Sequence, residues 1–170
     1  MNMTVTGINQ PSAEMVNQLQ QGGYVLYFRH AQPVETSGDP GLSAEGQEKA
    51  VLLGNWLREQ KIKINLPVLS SPTQRTQETG KAAFQSIRVE EALAYMDVLF
   101  MENPSGAERV MKARLVSLLE SIPSEETNTV LVAHSFSFNN QIEARPYLGL
   151  ILLKPKGKGQ GYEIADAFNF

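Results

Sequence analysis

The run YVLYF at residues 24–28 is apolar at every position. A strand with one wet face alternates apolar and polar residues, whereas an unbroken run fits a strand covered on both faces. A second such run, TVLVA, occupies 129–133 and is apolar after its opening Thr129. Two such strands require a sheet with helices on each side, and the segments around them supply helices. PSAEMVNQLQQGG (11–23) reads as a short helix capped by Ser12 and stopped by Gly22-Gly23, with Met15 and Leu19 on one face. LSAEGQEKAVLLGNWLREQ (42–60) reads as a helix opened by Ser43, with Ala50, Leu53 and Leu57 inward. SPTQRTQETGKAAFQS (71–86) is expected to start at a capping box of Ser71 and Gln74, with Pro72 in the first turn. SGAERVMKARLVSLLESI (105–122) carries a second box, Ser105 with Glu108, and an apolar face of Met111, Leu115, Leu118 and Ile122.

Between these helices, LPVLS (66–70) and IRVEEAL (87–93) read as short strands, and AYMDVLFMENP (94–104) is ambiguous. Residues 31–42, rich in Pro, Gly, Ser and Asp, read as a loop. YLGLILLKP and GYEIADAFNF look like a closing hairpin around KGKGQG (156–161). The alternation predicts one domain over 1–170, a three-layer α/β/α sandwich with a mostly parallel sheet.

Composition narrows the chemistry. With no cysteine, disulfides, thiolate metal sites and a cysteine nucleophile are excluded. A net charge of −3 argues against a general nucleic-acid partner. No apolar run approaches the roughly 18 residues that span a bilayer, and the start, MNMTVTGINQ, lacks the basic region and apolar core of a signal peptide. The expectation is therefore no membrane partner and a cytoplasmic location.

Both histidines stand where an apolar run stops: His30 after YVLYFR and His134 after TVLVA. Ligands of open α/β sheets bind beyond the carboxyl ends of the strands. Arg29 stands beside His30, and Arg75 lies in the first turn of the helix that follows the 66–70 strand. A helix start favours anions, arginine matches phosphate with paired donors, and neutral histidine is a competent nucleophile. These are the parts of a phosphate pocket. A single histidine after a strand is ordinarily structural, and spacing alone leaves both readings open. GKGQG lacks the trailing Lys-Ser/Thr of a P-loop and precedes a strand, so it reads as a turn. Two isolated histidines give no zinc spacing, so no metal site is expected.

Four stretches in order, RHAQP (29–33), LSAEGQEKA (42–50), LSSPTQRTQET (69–79) and VLVAHS (130–135), resemble the signatures of the histidine phosphatase superfamily, with its phosphoglycerate mutase-like fold. The short chain is similar to the compact members, the phosphohistidine phosphatases and small bacterial sugar-phosphate phosphatases. The resemblance implies a covalent mechanism without metal or organic cofactor. His30 would attack phosphorus, and Arg29, Arg75, His134 and Ser135 would hold the phosphoryl oxygens. The partner would be a phosphorylated small molecule or a phosphohistidine protein. Ala31 and Ser135 replace the glycines usual after the two histidines. The family's acidic residue after the third strand would fall at Tyr95, so Asp97, ahead of Glu102 or no acid at all, is the expected proton donor. That gap leaves a second reading, a non-catalytic phosphate-binding pseudophosphatase on the same fold.

Overall fold

The computed structural model describes residues 3–4, 11–139 and 142–169. Most of MNMTVTGINQ and the last residue of the closing hairpin, Phe170, lie outside the described residues. The elements run β1 (Met3–Thr4), α1 (Ala13–Gln21), β2 (Val25–Arg29), α2 (Ala44–Glu59), β3 (Val68–Ser70), α3 (Gln74–Phe84), β4 (Ile87–Val89), a 3-10 helical segment (Glu91–Phe100), α4 (Gly106–Glu120), β5 (Thr129–Ala133), β6 (Ser137–Phe138), β7 (Ile142–Glu143), β8 (Leu150–Pro155) and β9 (Tyr162–Phe168). Six strands form the central sheet in the order β4-β3-β5-β2-β8-β9. The first four are mutually parallel, and β8 and β9 add as antiparallel neighbours.

The two unbroken apolar runs lie side by side at the centre of this sheet, as β5 and β2. Their successive residues point to opposite faces, and both faces are dry. Leu26, Phe28, Val130, Val132, Leu150 and Leu152 pack under α1, α2 and α3. Val25, Tyr27, Leu131, Ala133, Ile151 and Leu153 pack under the 3-10 segment and α4. This is the expected three-layer sandwich. Burying a side chain such as Phe28 stabilises by about 1.5–3 kcal/mol, so a polar residue within either run would be strongly disfavoured. The polar residues that follow the runs stand at the sheet's edge.

The caps that the sequence predicts are mostly present. Ser12 accepts from Met15 N–H, Ser43 accepts from Gly46 N–H, and Ser105 with Glu108 closes its box. The start of α3 differs. Its N-cap is Thr73, whose hydroxyl meets Thr76 Oγ1 rather than a helix amide, and the first amide, Gln74 N–H, donates to the Asp39 carboxylate at 2.9 and 3.1 Å. Ser71 is committed elsewhere, as described below. On α4 the buried line passes through Leu115 and Leu119, while Ile122, beyond the helix end, is exposed. The ambiguous segment is the 3-10 stretch, and the closing hairpin is β8–β9, its turn holding Gly157, Gly159 and Gly161 at positive φ. A small second sheet, β1-β7-β6, was not anticipated. Its strands span two residues each, too short for any periodicity to show. Among the described residues no helix is long and apolar enough to cross a membrane.

Candidate active site

Strand register brings the histidines together. In β2 and β5, Arg29 pairs with Ala133, so His30 and His134 are the next residues on adjacent parallel strands and leave the sheet at the same end. His30 N–H still donates to Ala133 C=O at 3.0 Å. The buried Tyr27 hydroxyl donates to His134 C=O at 2.8 Å and fixes the second strand end. The two imidazole centroids are 5.6 Å apart, with ring planes at 70°.

Arg75, the second residue of α3, reaches between them. Its Nε–H donates to His30 Nε2 at 3.2 Å, and Nη2 lies 3.5 Å from His134 Nδ1. Its Nη1 lies 3.7 Å from Asp39 Oδ1. These contacts assign the tautomers. His30 Nδ1 is 2.7 Å from Ala31 C=O. A carbonyl only accepts, so Nδ1 carries the proton and Nε2 presents a lone pair to Arg75. His134 has the opposite arrangement. Its Nδ1 faces the guanidinium, so Nε2 carries the proton and donates to Ser71 Oγ at 2.9 Å. Burial is the main cause that lowers both imidazoles from their usual value to about 4, and the charges of Arg29 and Arg75 add to it. Both rings are neutral at pH 7.

Arg29, the last residue of β2, has its guanidinium 4.3 Å from the Tyr147 ring centroid and donates through Nη1 to Arg145 C=O. Burial lowers its pKa from the ordinary arginine value, and the phenol of Tyr147 partly offsets this. The Tyr147 ring lies 5.8 Å from that of His30, and Tyr147 is 42% exposed. Below, Ala31 N–H donates to Thr79 Oγ1 at 2.9 Å and ties the turn after His30 to α3.

The loop 31–42 forms the remaining wall. Gln32 C=O at its base accepts from Ser43 N–H and Ser43 Oγ. Gly46 makes room for this, since a Cβ there would stand 2.2 Å from Gln32 C=O. Val34 N–H bonds Gly41 C=O, Pro33 bridges to Leu42, and Leu42 N–H bonds Glu78. The enclosed cleft has a volume of about 480 Å³. Arg29, His30, Arg75, His134 and Ser135 line it, together with Tyr147 and residues of the loop, including Glu35.

The structure thus brings five of the sequence-predicted site residues to one cleft. It does not bring Asp97 or Glu102 there. Both are exposed, Asp97 within the 3-10 segment and Glu102 just after it, and neither lines the cleft. Nor does the start of α3 offer its first amide to a ligand, because Asp39 occupies it. Sequence reasoning missed Ser71, Thr79, Asp39 and Tyr147. Each acts through a contact with a residue distant in the chain, and the available signal was weak: Ser71 directly follows a strand, within a matching signature stretch.

A model of the histidine phosphatase superfamily (branch 1) matches residues 25–109, half of the chain. The chain belongs to the histidine phosphatase superfamily. The matched span includes Arg29, His30 and Arg75 and ends before His134, which strand pairing carries into the same site. Solved structures share the fold at low identity. The protein histidine phosphatase SixA, complexed with tungstate, superposes with a TM-score of 0.61 at 17% identity, over 86% of this chain and 96% of that one. A mycobacterial glucosyl-3-phosphoglycerate phosphatase complexed with VO3 gives 0.58 at 16%, over 87% and 99%. The Entamoeba histolytica phosphoserine phosphatase with 3-phosphoglyceric acid gives 0.55 at 13%, over 86% and 97%. No curated protein sequence matches the chain.

Proposed function

We propose that this histidine phosphatase superfamily member is an active, metal-independent phosphatase that works through a phosphohistidine on His30. The observation that carries the reading is the opposed pair of neutral imidazoles bridged by Arg75. His30 Nε2 holds a lone pair in the cleft, and its other nitrogen is locked as a donor to Ala31. A phosphate entering between the rings takes over the Arg75 donors and frees that lone pair. Nε2 then forms the bond to phosphorus as the bond from phosphorus to the leaving group breaks. Water next attacks phosphorus, the P–N bond breaks, and inorganic phosphate leaves with His30 restored.

Phosphoryl transfer depends mostly on positioning and on neutralising the equatorial oxygens. Arg29, Arg75, His134 and Ser135 line the space where those oxygens would sit, and the arginines supply the charge that a metal supplies elsewhere. Tyr147, stacked on Arg29, holds that guanidinium in place. Tungstate in one structural relative and VO3 in another are oxyanions, and they support an oxyanion pocket here. The substrate class is a phosphomonoester of a small molecule or a phosphohistidine side chain. The test is a turnover screen over phosphomonoesters and a phosphohistidine peptide in EDTA. Turnover that survives the chelator is expected; turnover abolished by EDTA and restored by a divalent ion overturns the metal-independent reading.

A further inference from the structure

We propose that Glu35 is the proton donor to the leaving group. The assignment rests on the phosphatase reading above. It starts from the distribution of acids: among the described residues lining the cleft, Glu35 is the one carboxylic acid. The hydroxyls of Thr36 and Ser135 and the amide of Gln32 there are far weaker acids than a carboxyl, and two further protic groups are otherwise used. Tyr147 is turned onto Arg29, and the proton of His134 is held by Ser71.

Position adds to chemistry. His30 is buried, at 4% exposure, on the floor of the cleft. A nucleophile attacking from the floor requires the leaving group to point the other way, in line, toward the rim. The rim is formed by the exposed residues Val34, Glu35, Thr36 and Gly38. Glu35 is held there by its backbone. It is the central residue of a γ-turn closed by Thr36 N–H to Val34 C=O at 3.0 Å. That turn sits on the Val34–Gly41 hydrogen bond, and the far side of the loop is tied to α3 through Asp39 and Gln74.

In the first half-reaction, Glu35 gives its proton to the leaving oxygen as the P–O bond breaks and the P–N bond to His30 forms. In the second, the resulting carboxylate takes a proton from the attacking water as the new O–P bond forms and the P–N bond breaks. The acid is restored and no co-reactant is needed.

The experiment measures kcat/KM for wild type, Glu35→Gln and Asp97→Asn over phosphomonoesters of rising leaving-group basicity, with acid-quench trapping of the His30 adduct. Glu35→Gln should slow alkyl phosphates by about 10²–10⁴-fold while largely sparing activated aryl phosphates. With an aryl phosphate it should also raise the steady-state level of phosphoenzyme, because hydrolysis has lost its base. If Glu35→Gln follows wild type across the series while His30 is still labelled, the assignment falls and the phosphatase reading stands. If the alkyl-selective loss appears in Asp97→Asn instead, Glu35 is likewise excluded. If wild type forms no adduct on His30, both fall together.

Discussion

His30 and His134 begin from the same circumstance, the residue after the last rung of a central parallel strand, and end with opposite protonation patterns. The partner of His30 Nδ1 is a backbone carbonyl from the next residue, which only accepts. The tautomer is therefore fixed whether or not a ligand is present, and Nε2 stays a lone pair as a nucleophile requires. The partner of His134 Nε2 is a hydroxyl, which accepts or donates, and its Nδ1 meets a guanidinium that a phosphate would draw away. A lone pair facing a phosphoryl oxygen is repulsive, so His134 must present a proton at Nδ1 to hold the ligand, either by taking one up or by changing tautomer while the Ser71 hydroxyl donates to Nε2. One imidazole is locked in its tautomer and the other is free to change its protonation pattern on binding. The similar depression of the two rings to about 4 conceals this difference; the hydrogen-bond partners reveal it.

Removing each ring should separate the roles most widely. On the proposed mechanism His30→Ala deletes the nucleophile, and kcat should fall by about 10⁴-fold or more. His134→Ala deletes an electrostatic contact to the transferring group, and a loss of about 10²–10³-fold is expected. Steady-state kinetics on one aryl phosphate checks both, and equal losses would erase the distinction.

The bridge between the rings is next. Arg75→Ala removes a charge-assisted contact and should lower kcat/KM by at least about tenfold, equivalent to ~1.5–3 kcal/mol. Arg58, which bonds Ala83 C=O and Asn55 and does not line the cleft, should matter far less. Similar small effects at both positions would remove Arg75 from the site.

Protonation gives the two smaller effects. Phosphate binding near pH 7 tells the two routes at His134 apart: uptake of about one proton marks protonation of the ring and no uptake marks the tautomer change, measured as a dependence of calorimetric heat on buffer ionisation enthalpy. His134→Asn should abolish any uptake and His30→Asn should not. Stability carries the same signature without a ligand. Between about pH 4 and the ordinary histidine value of about 6.5, the unfolded chain binds protons that both folded rings exclude. Stability therefore falls as pH drops through that window and recovers as it rises. Replacing either histidine by Asn should flatten the slope seen by denaturant titration at several pH values.

Much of the sandwich was legible because YVLYF and VLVA (130–133) are apolar at every position, a pattern that fits a strand covered on both faces. His30, His134, Arg29 and Arg75 were legible because they stand where those patterns stop. What stayed hidden depends on contacts across long stretches of chain. Ser71 looked like a helix cap because its spacing to Gln74 allows a capping box, yet His134, 63 residues away, claims its hydroxyl. Asp39, in the loop, takes over the amide that Ser71 leaves free. Tyr147 reaches Arg29 because β8 returns beside β2, which no local pattern encodes. By analogy with the family the proton donor is expected after the third strand, at Asp97; the carboxyl that lines the cleft is Glu35, on the loop that follows His30, which is why it is the proposed donor.

The central claim is that His30 is the one of the two imidazoles that carries the phosphoryl group. A rapid acid quench of wild type turning over a ³²P-labelled aryl phosphate, with the adduct mapped by peptide, tests it directly. The account predicts an acid-labile label on His30, lost in His30→Ala and retained, at a reduced rate of formation, in His134→Ala. Label on His134, or an acid-stable label on Ser70, Ser71 or Ser135, would contradict it.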